Sequence, residues 1–139
     1  MAWNNGFVDA IGFTSPNAKH PRVVCIEVKK SRSDLLADVN ASKYRKYEFG
    51  SSHCYLAGTL TAFGVRAIKD MPRAIQDLRS RGFPDNWGIL LLPRSGNGKP
   101  KLVRAARQMR VPLPNELLSL SLRALNALAN KGLRKVDLD

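Results

Sequence analysis

The stretch Arg22–Lys30, reading Arg-Val-Val-Cys-Ile-Glu-Val-Lys-Lys, constrains the fold of this chain more than any other. Its density of β-branched side chains (Val23, Val24, Ile26, Val28) is that of a strand packed on a half-buried surface. Helix signals follow at once. Ser33 is placed to cap a helix that runs from about Asp34 to Tyr47, Asp34 favours its positive end, and Gly50 is positioned to close it. Leu35, Leu36, Val39 and Tyr47 supply its apolar stripe. His53–Ala57 then reads as a second strand. A strand, a helix and a strand in that order place the two strands parallel, because the helix must carry the chain back across the sheet.

The flanking segments extend this unit. Phe7 to Phe13 reads as a strand, and the loop containing Pro16 and Pro21 makes it an antiparallel partner of the 22–30 strand. The segment from Gly58 to Lys69 carries no clear pattern. Pro72 sits at a first helical position, with a short helix over Arg73–Arg81 closed by Gly82. Trp87–Leu92 is a continuous apolar run, expected for a strand covered on both faces. Ser95-Gly96-Asn97-Gly98 is a hairpin turn leading to an edge strand over Lys101–Ala105. Pro112 and Pro114 mark a boundary before a last helix, Asn115–Asn130, ended by Gly132. The expectation is an α/β domain of two or three layers on a small mixed sheet flanked by helices. Residues 1–110 would form its core. The helix within 111–139 would pack on that core or meet a partner, a second copy included, through Leu117, Leu118, Leu122, Leu125 and Leu128, with Leu120 widening the stripe.

Charge narrows the function. Lys and Arg number 23 against 11 Asp and Glu, a formal +12, and the isoelectric point is near 10.3. Such an excess suits polyanions, whose phosphates release condensed counterions when neutralised. No apolar stretch is long enough for a bilayer-spanning helix, and the N-terminal residues lack a secretory pattern. Cys25 and Cys54 each lie in an apolar run and read as small core residues rather than a disulfide framework. A cytoplasmic protein with no membrane role is the expectation.

Glu27 and Lys29 alternate onto the same face of their strand as Val23 and Cys25, so that strand runs out of a core into charge. A carboxylate and an ammonium so placed must pair or bind a metal, and a wet ion pair at a strand end is the plain alternative. Asp9 adds weight, because Asp is disfavoured within an apolar strand. If the first two runs pair as a hairpin, Asp9 comes beside Glu27, and a hard cation relieves the repulsion of two carboxylates. Mg²⁺ suits such a pair, since waters and substrate phosphate oxygens complete its shell. His20 and His53 lack ligating partners at zinc spacing, and Ser95–Lys99 lacks the spacing and following helix of a phosphate loop.

Asp9 followed by Glu27-Val28-Lys29 resembles the signature of the PD-(D/E)XK nuclease superfamily. The longer run Glu27-Val28-Lys29-Lys30-Ser31-Arg32-Ser33-Asp34-Leu35-Leu36-Ala37-Asp38, then Lys43-Tyr44-Arg45-Lys46-Tyr47, is similar to phage and bacterial members, including the MmcB-like DNA-repair group. The resemblance spans roughly residues 7–105 and implies a restriction-endonuclease-like core. It implies Mg²⁺ or Mn²⁺ held by Asp9, Glu27 and the Val28 carbonyl, with Lys29 catalytic. It also implies Lys43 and Lys46 near a DNA backbone; Ser31, Arg32 and Asp34 read as structural residues shaping the turn into the helix. Two departures stand beside it. Val8 occupies the place of the signature's proline, and the sequence begins almost at the first strand, so the acidic upstream helix of many relatives is lost, lies outside a fragment, or leaves the site incomplete. The expected function is a metal-dependent DNA nuclease of a bacterial or phage-infected cell. A DNA-binding module with an impaired site and a basic domain for RNA or protein are the alternatives.

Overall fold

The computed structural model describes residues 9–95 and 98–130. Its centre is a five-stranded mixed sheet in chain order: β1 (Ala10–Phe13), β2 (Val23–Lys29), β3 (His53–Gly58), β4 (Gly88–Leu91) and β5 (Lys101–Arg104). The outer pairs β1–β2 and β4–β5 are antiparallel, and β2–β3 and β3–β4 are parallel. The strand–helix–strand unit is therefore as expected, and so is the hairpin. β1 is a short strand, and the expected strand residues Phe7 and Val8 lie outside the described residues, as do Gly96 and Asn97 of the turn and Gly132.

Strand periodicity decides where the core sits. Cys25, Cys54, Leu56, Ile89 and Leu91 share one face through the register, and all are buried in one cluster. That cluster also takes Leu35 and Val39 from α1 (Arg32–Asn40), Tyr47 from α2 (Arg45–Glu48), Ala62 and Phe63 from α3 (Leu60–Phe63), and Met71, Ala74 and Leu78 from α4 (Met71–Ser80). Helices thus cover one face, and among the described residues the arrangement is two-layered. β4 is correspondingly not covered on both faces: Leu90, pointing the other way from Ile89 and Leu91, is only half-buried. Tyr55 lies on that second face with its ring against Gly88. A Cβ there would meet the ring at 2.2 Å, so only glycine lets the two central strands pack with this tyrosine between them.

The helix between β2 and β3 differs from its expected course. Ser31, not Ser33, caps it: its side chain accepts from the Asp34 N–H at 3.2 Å. It then breaks after Asn40. Ser42 adopts a left-handed φ of 54°, and the chain restarts as α2. Asn40 and Ala41 are exposed and Ser42 half-buried, so no buried side chain anchors these three positions. The break rotates the next turn so that Tyr44 and Tyr47 both reach the interior. Gly50 does not serve as a left-handed cap, whereas Gly82, at φ 91°, does follow α4. The unpatterned 58–69 segment holds α3, capped by Thr59, and a 3-10 turn over Ile68–Asp70. These elements are short enough to leave no period in the sequence.

Three aromatic rings close the far side of the core. Tyr44, Phe83 and Trp87 meet edge to face at centroid distances of 5.0, 5.8 and 5.4 Å. The Trp87 indole N–H donates to Glu48 Oε1 at 2.9 Å, satisfying the one polar atom the ring carries into burial. Arg32 fastens α1 to the rest, donating to the Phe63 carbonyl at 3.0 Å and pairing with Asp77 at 2.9 Å. The last helix, α5 (Pro114–Asn130), packs through Leu117 and Leu120 on Val23 and Phe13. Of the expected leucine stripe, Leu117 is buried against the domain, whereas Leu118, Leu122, Leu125 and Leu128 are exposed. No helix among the described residues is long and apolar enough to cross a membrane.

The break at Ser42 gives a direct test. A non-glycine residue in left-handed geometry carries a local conformational penalty that glycine lacks. Ser42→Gly is expected to raise stability by about 0.5–1 kcal/mol in urea unfolding, and Ser42→Val to lower it by at least as much. Equal midpoints for the two variants would remove the break as a strained feature.

Candidate active site

The charged cluster forms where β2 leaves the core. Val23, Cys25, Glu27 and Lys29 alternate onto the helix-covered face, so the strand carries its register of buried side chains straight into two charged ones. Glu27 is 6 % exposed, nearly as buried as the hydrophobic residues beneath it. Its Oε1 lies 3.0 Å from the Lys29 ammonium, while its Oε2 is buried and has no hydrogen-bond partner. An acceptor left bare at that depth is costly unless something else fills its coordination.

Lys29 has a second carboxylate. Asp38, on the last turn of α1, pairs with its ammonium, so one lysine bridges strand and helix. Burial works against the Lys29 charge, but hydrogen bonds to Asp38 and then Glu27 outweigh it and hold the ammonium above its ordinary pKa. Glu27 moves up for a different reason. Burial dominates, Lys29 opposes it, and the charges of Asp9 and Asp38 push further in the same upward direction. Tyr47, brought in by the α1–α2 break, faces Glu27 as well. Burial and then the charge and hydrogen bonding of Glu27 push its phenol up to about 12, so it stays protonated as a donor.

The antiparallel register pairs Ala10 with Ile26, which carries Asp9 on to the level of Glu27. Asp9 is exposed, and its Oδ2 accepts from the Val28 N–H at 2.8 Å. The structure therefore brings Asp9, Glu27 and Lys29 together, and adds Asp38 and Tyr47, which the sequence did not single out as site residues. The signal for Asp38 was its place near the end of a helix that must fold back over β2. Tyr47 read as part of an apolar stripe, because its hydroxyl leaves no mark in a periodicity. Lys43 and Lys46 stand at the rim: Lys43 lies 4.0 Å from Asp38, and Lys46 sits over the Tyr47 ring at 5.1 Å from its centroid. His53 is on the sheet's other face by register and bonds Ser52 Oγ at 2.8 Å.

Among the described residues no group of three or more His, Cys, Asp or Glu side chains is arranged to hold a metal ion. Two carboxylates, Asp9 and Glu27, remain as oxygen donors. That set fits Mg²⁺, a hard ion that keeps waters and takes one or two carboxylates, and the bare Glu27 Oε2 is the atom such an ion would engage. The chain matches no known family model, no curated protein and no solved structure.

The cluster makes a stability prediction. A buried carboxyl whose pKa is raised in the folded state binds its proton more tightly there than in the unfolded chain. Its cost is absent below the ordinary carboxylate range and develops as pH rises through the folded value. Glu27→Gln is therefore expected to melt a few °C higher than the parent at neutral pH without added metal, on the order of 1 kcal/mol. The gap should narrow at pH 4. A lower melting temperature for Glu27→Gln at pH 7 would show that ionised Glu27 is a net stabilising partner of Lys29.

Proposed function

We propose that this chain is a metal-dependent nuclease that hydrolyses DNA phosphodiesters, on a restriction-endonuclease-like core. The observation that carries the proposal is the meeting of Asp9, Glu27 and Lys29 at one strand end, with Glu27 Oε2 buried and bare. The strand order around them is compatible with that core: a carboxylate strand, an antiparallel Glu-x-Lys strand, a helix, and a parallel strand. A net charge of +12 suits a nucleic-acid substrate.

The chain's own residues have distinct tasks in such a reaction. Asp9 and Glu27 would hold Mg²⁺ or Mn²⁺, with the Val28 carbonyl as the third ligand that the resemblance implies. When bound, the ion supplies a polarised phosphate and a water of lowered pKa. Lys29 is held as an ammonium by Asp38 and Glu27, so it acts as a fixed positive charge rather than a base. From there it steadies the attacking water and the charge that grows on the phosphate. Asp38 holds the Lys29 ammonium from the helix side, and the protonated Tyr47 phenol stands beside Glu27. Lys43 and Lys46 lie at the rim, where a phosphate backbone would pass.

A DNA-binding module with an impaired site is the second reading, favoured by one specific contact: Asp9 spends Oδ2 on the Val28 N–H, leaving a single oxygen for a metal. Nicking of supercoiled plasmid with Mg²⁺ or Mn²⁺ separates the two. The expected outcome is cleavage that falls at least about 100-fold in Glu27→Gln and Lys29→Ala, the loss typical when a charge acting in the transition state is removed. Asp38→Asn should lose less and shift the pH profile through Lys29. No cleavage with either metal, alongside undiminished DNA binding, would leave the binding module standing.

A further inference from the structure

Phe49 is out of place among the aromatics of its segment. Tyr44 and Tyr47, two to five residues before it, are each 6 % exposed, whereas Phe49 is 79 % exposed. It follows α2 directly with helical geometry, so it lies one turn above Arg45, on the side of that helix turned away from the buried Tyr47. Together with Glu48 and Arg110 these two residues line a shallow cavity of about 360 Å³.

The chemistry of that lining is specific. Arg45 is exposed and has no ion-pair partner among the described residues. The two acidic groups nearby are otherwise engaged: Glu48 accepts the Trp87 indole N–H at 2.9 Å, and Glu116 takes both terminal nitrogens of Arg110 at 2.9 and 2.6 Å. That fork fixes the Arg110 guanidinium at the cavity it lines together with Phe49. Lys43 and Lys46 continue the basic surface along the same segment toward the Glu27 cluster. A lone exposed aromatic is uninformative on many surfaces. One that lines a cavity with the exposed Arg45 and the Glu116-paired Arg110, in a chain of net charge +12, offers an apolar ring face beside basic side chains.

We infer that Phe49, with Arg45 and Arg110, is a stacking platform for an unpaired base of a single-stranded nucleic acid. A base in a duplex presents only its edges, so a ring face of this kind has nothing to stack on unless the strand is open or ends there. The inference deepens the DNA-directed function proposed above by naming the substrate class as DNA with an unpaired strand. It does not need the metal centre, since stacking and phosphate contacts act without a cation at Glu27.

The test is binding in EDTA, which removes cleavage from the measurement. Fluorescence anisotropy would compare a 20-mer oligo(dT), an oligo(rU) of equal length and a 20-base-pair duplex, using the full chain and the variants Phe49→Ala, Phe49→Trp and Arg45→Ala. The expected result is a loss of roughly 10-fold in oligo(dT) affinity for Phe49→Ala, with duplex affinity unchanged. Phe49→Trp should keep or improve affinity, and its indole emission should be quenched on binding. A platform used on DNA binds oligo(dT) at least as tightly as oligo(rU), and the reverse preference would overturn the assignment to DNA. Unchanged oligo(dT) affinity in Phe49→Ala overturns the platform, and leaves the ring to a protein contact. An equal loss for oligo(dT) and duplex also overturns it. Because Phe49 is exposed, its replacement leaves the core untouched. Loss of nicking with intact oligo(dT) binding would count against the nuclease and not against the platform.

Discussion

Lys29 holds the charged end of this molecule together. Among the described residues it is the cation that pairs with both Glu27 on its own strand and Asp38 on the helix that folds back over that strand. Without it, two carboxylates of low exposure would face one another with Asp9 close by, a like-charge cluster that folding must neutralise or protonate. With it, β2 and α1 are cross-linked at the point where the hydrophobic core ends. The rest of the domain is arranged to make that end possible. The parallel β2–β3 pair supplies buried Cys25 and Cys54 beneath Glu27, and Arg32 ties the start of α1 to α3 and α4. The break at Ser42 then swings Tyr47 under the carboxylate.

Much of this was legible in the sequence, for physical reasons that can be named. Val23 to Val28 could only be a strand because β-branched side chains pack well on a pleated surface. The return to His53 could only be parallel because a helix intervenes. Asp9 beside Glu27 followed once the hairpin was assumed, since an antiparallel register has a single choice that keeps the apolar faces aligned. Charge gave the class of partner to expect, and nothing finer.

What was not legible depends on contacts that local patterns do not encode. Ser42 is an ordinary residue whose left-handed backbone arises from the need to bury Tyr44 and Tyr47 together, so a continuous helix was the natural expectation. Ser31 displaced Ser33 as the cap because both satisfy the local rule and only the exit angle of β2 chooses between them. Asp38 and Tyr47 become site residues only when α1 and α2 are laid over β2. The leucines of α5 are a related case. Spacing identified a helix, but it could not tell which of two apolar flanks meets Val23 and which faces solvent.

The electrostatics of the site and of the whole chain have opposite signs, and that opposition constrains how a phosphodiester can be received. The chain carries +12, which draws a polyanion to the surface. At the strand end, however, Asp9, Glu27 and Asp38 gather around the half-buried Lys29, with Lys43 at the exposed rim. A phosphate steered in by the outer charge would meet net negative charge at the centre. It can settle there only if a cation stands between it and Asp9 and Glu27, or if those carboxyls are protonated. Burial has already raised Glu27 toward protonation, so ion and proton compete for the same bare oxygen. Under the proposed function, metal affinity should therefore climb with pH through the Glu27 range, while the Lys29 ammonium, held by Asp38, stays charged throughout. Under the same proposal, the empty site is favoured at acidic pH and gains competence when a hard cation replaces the proton.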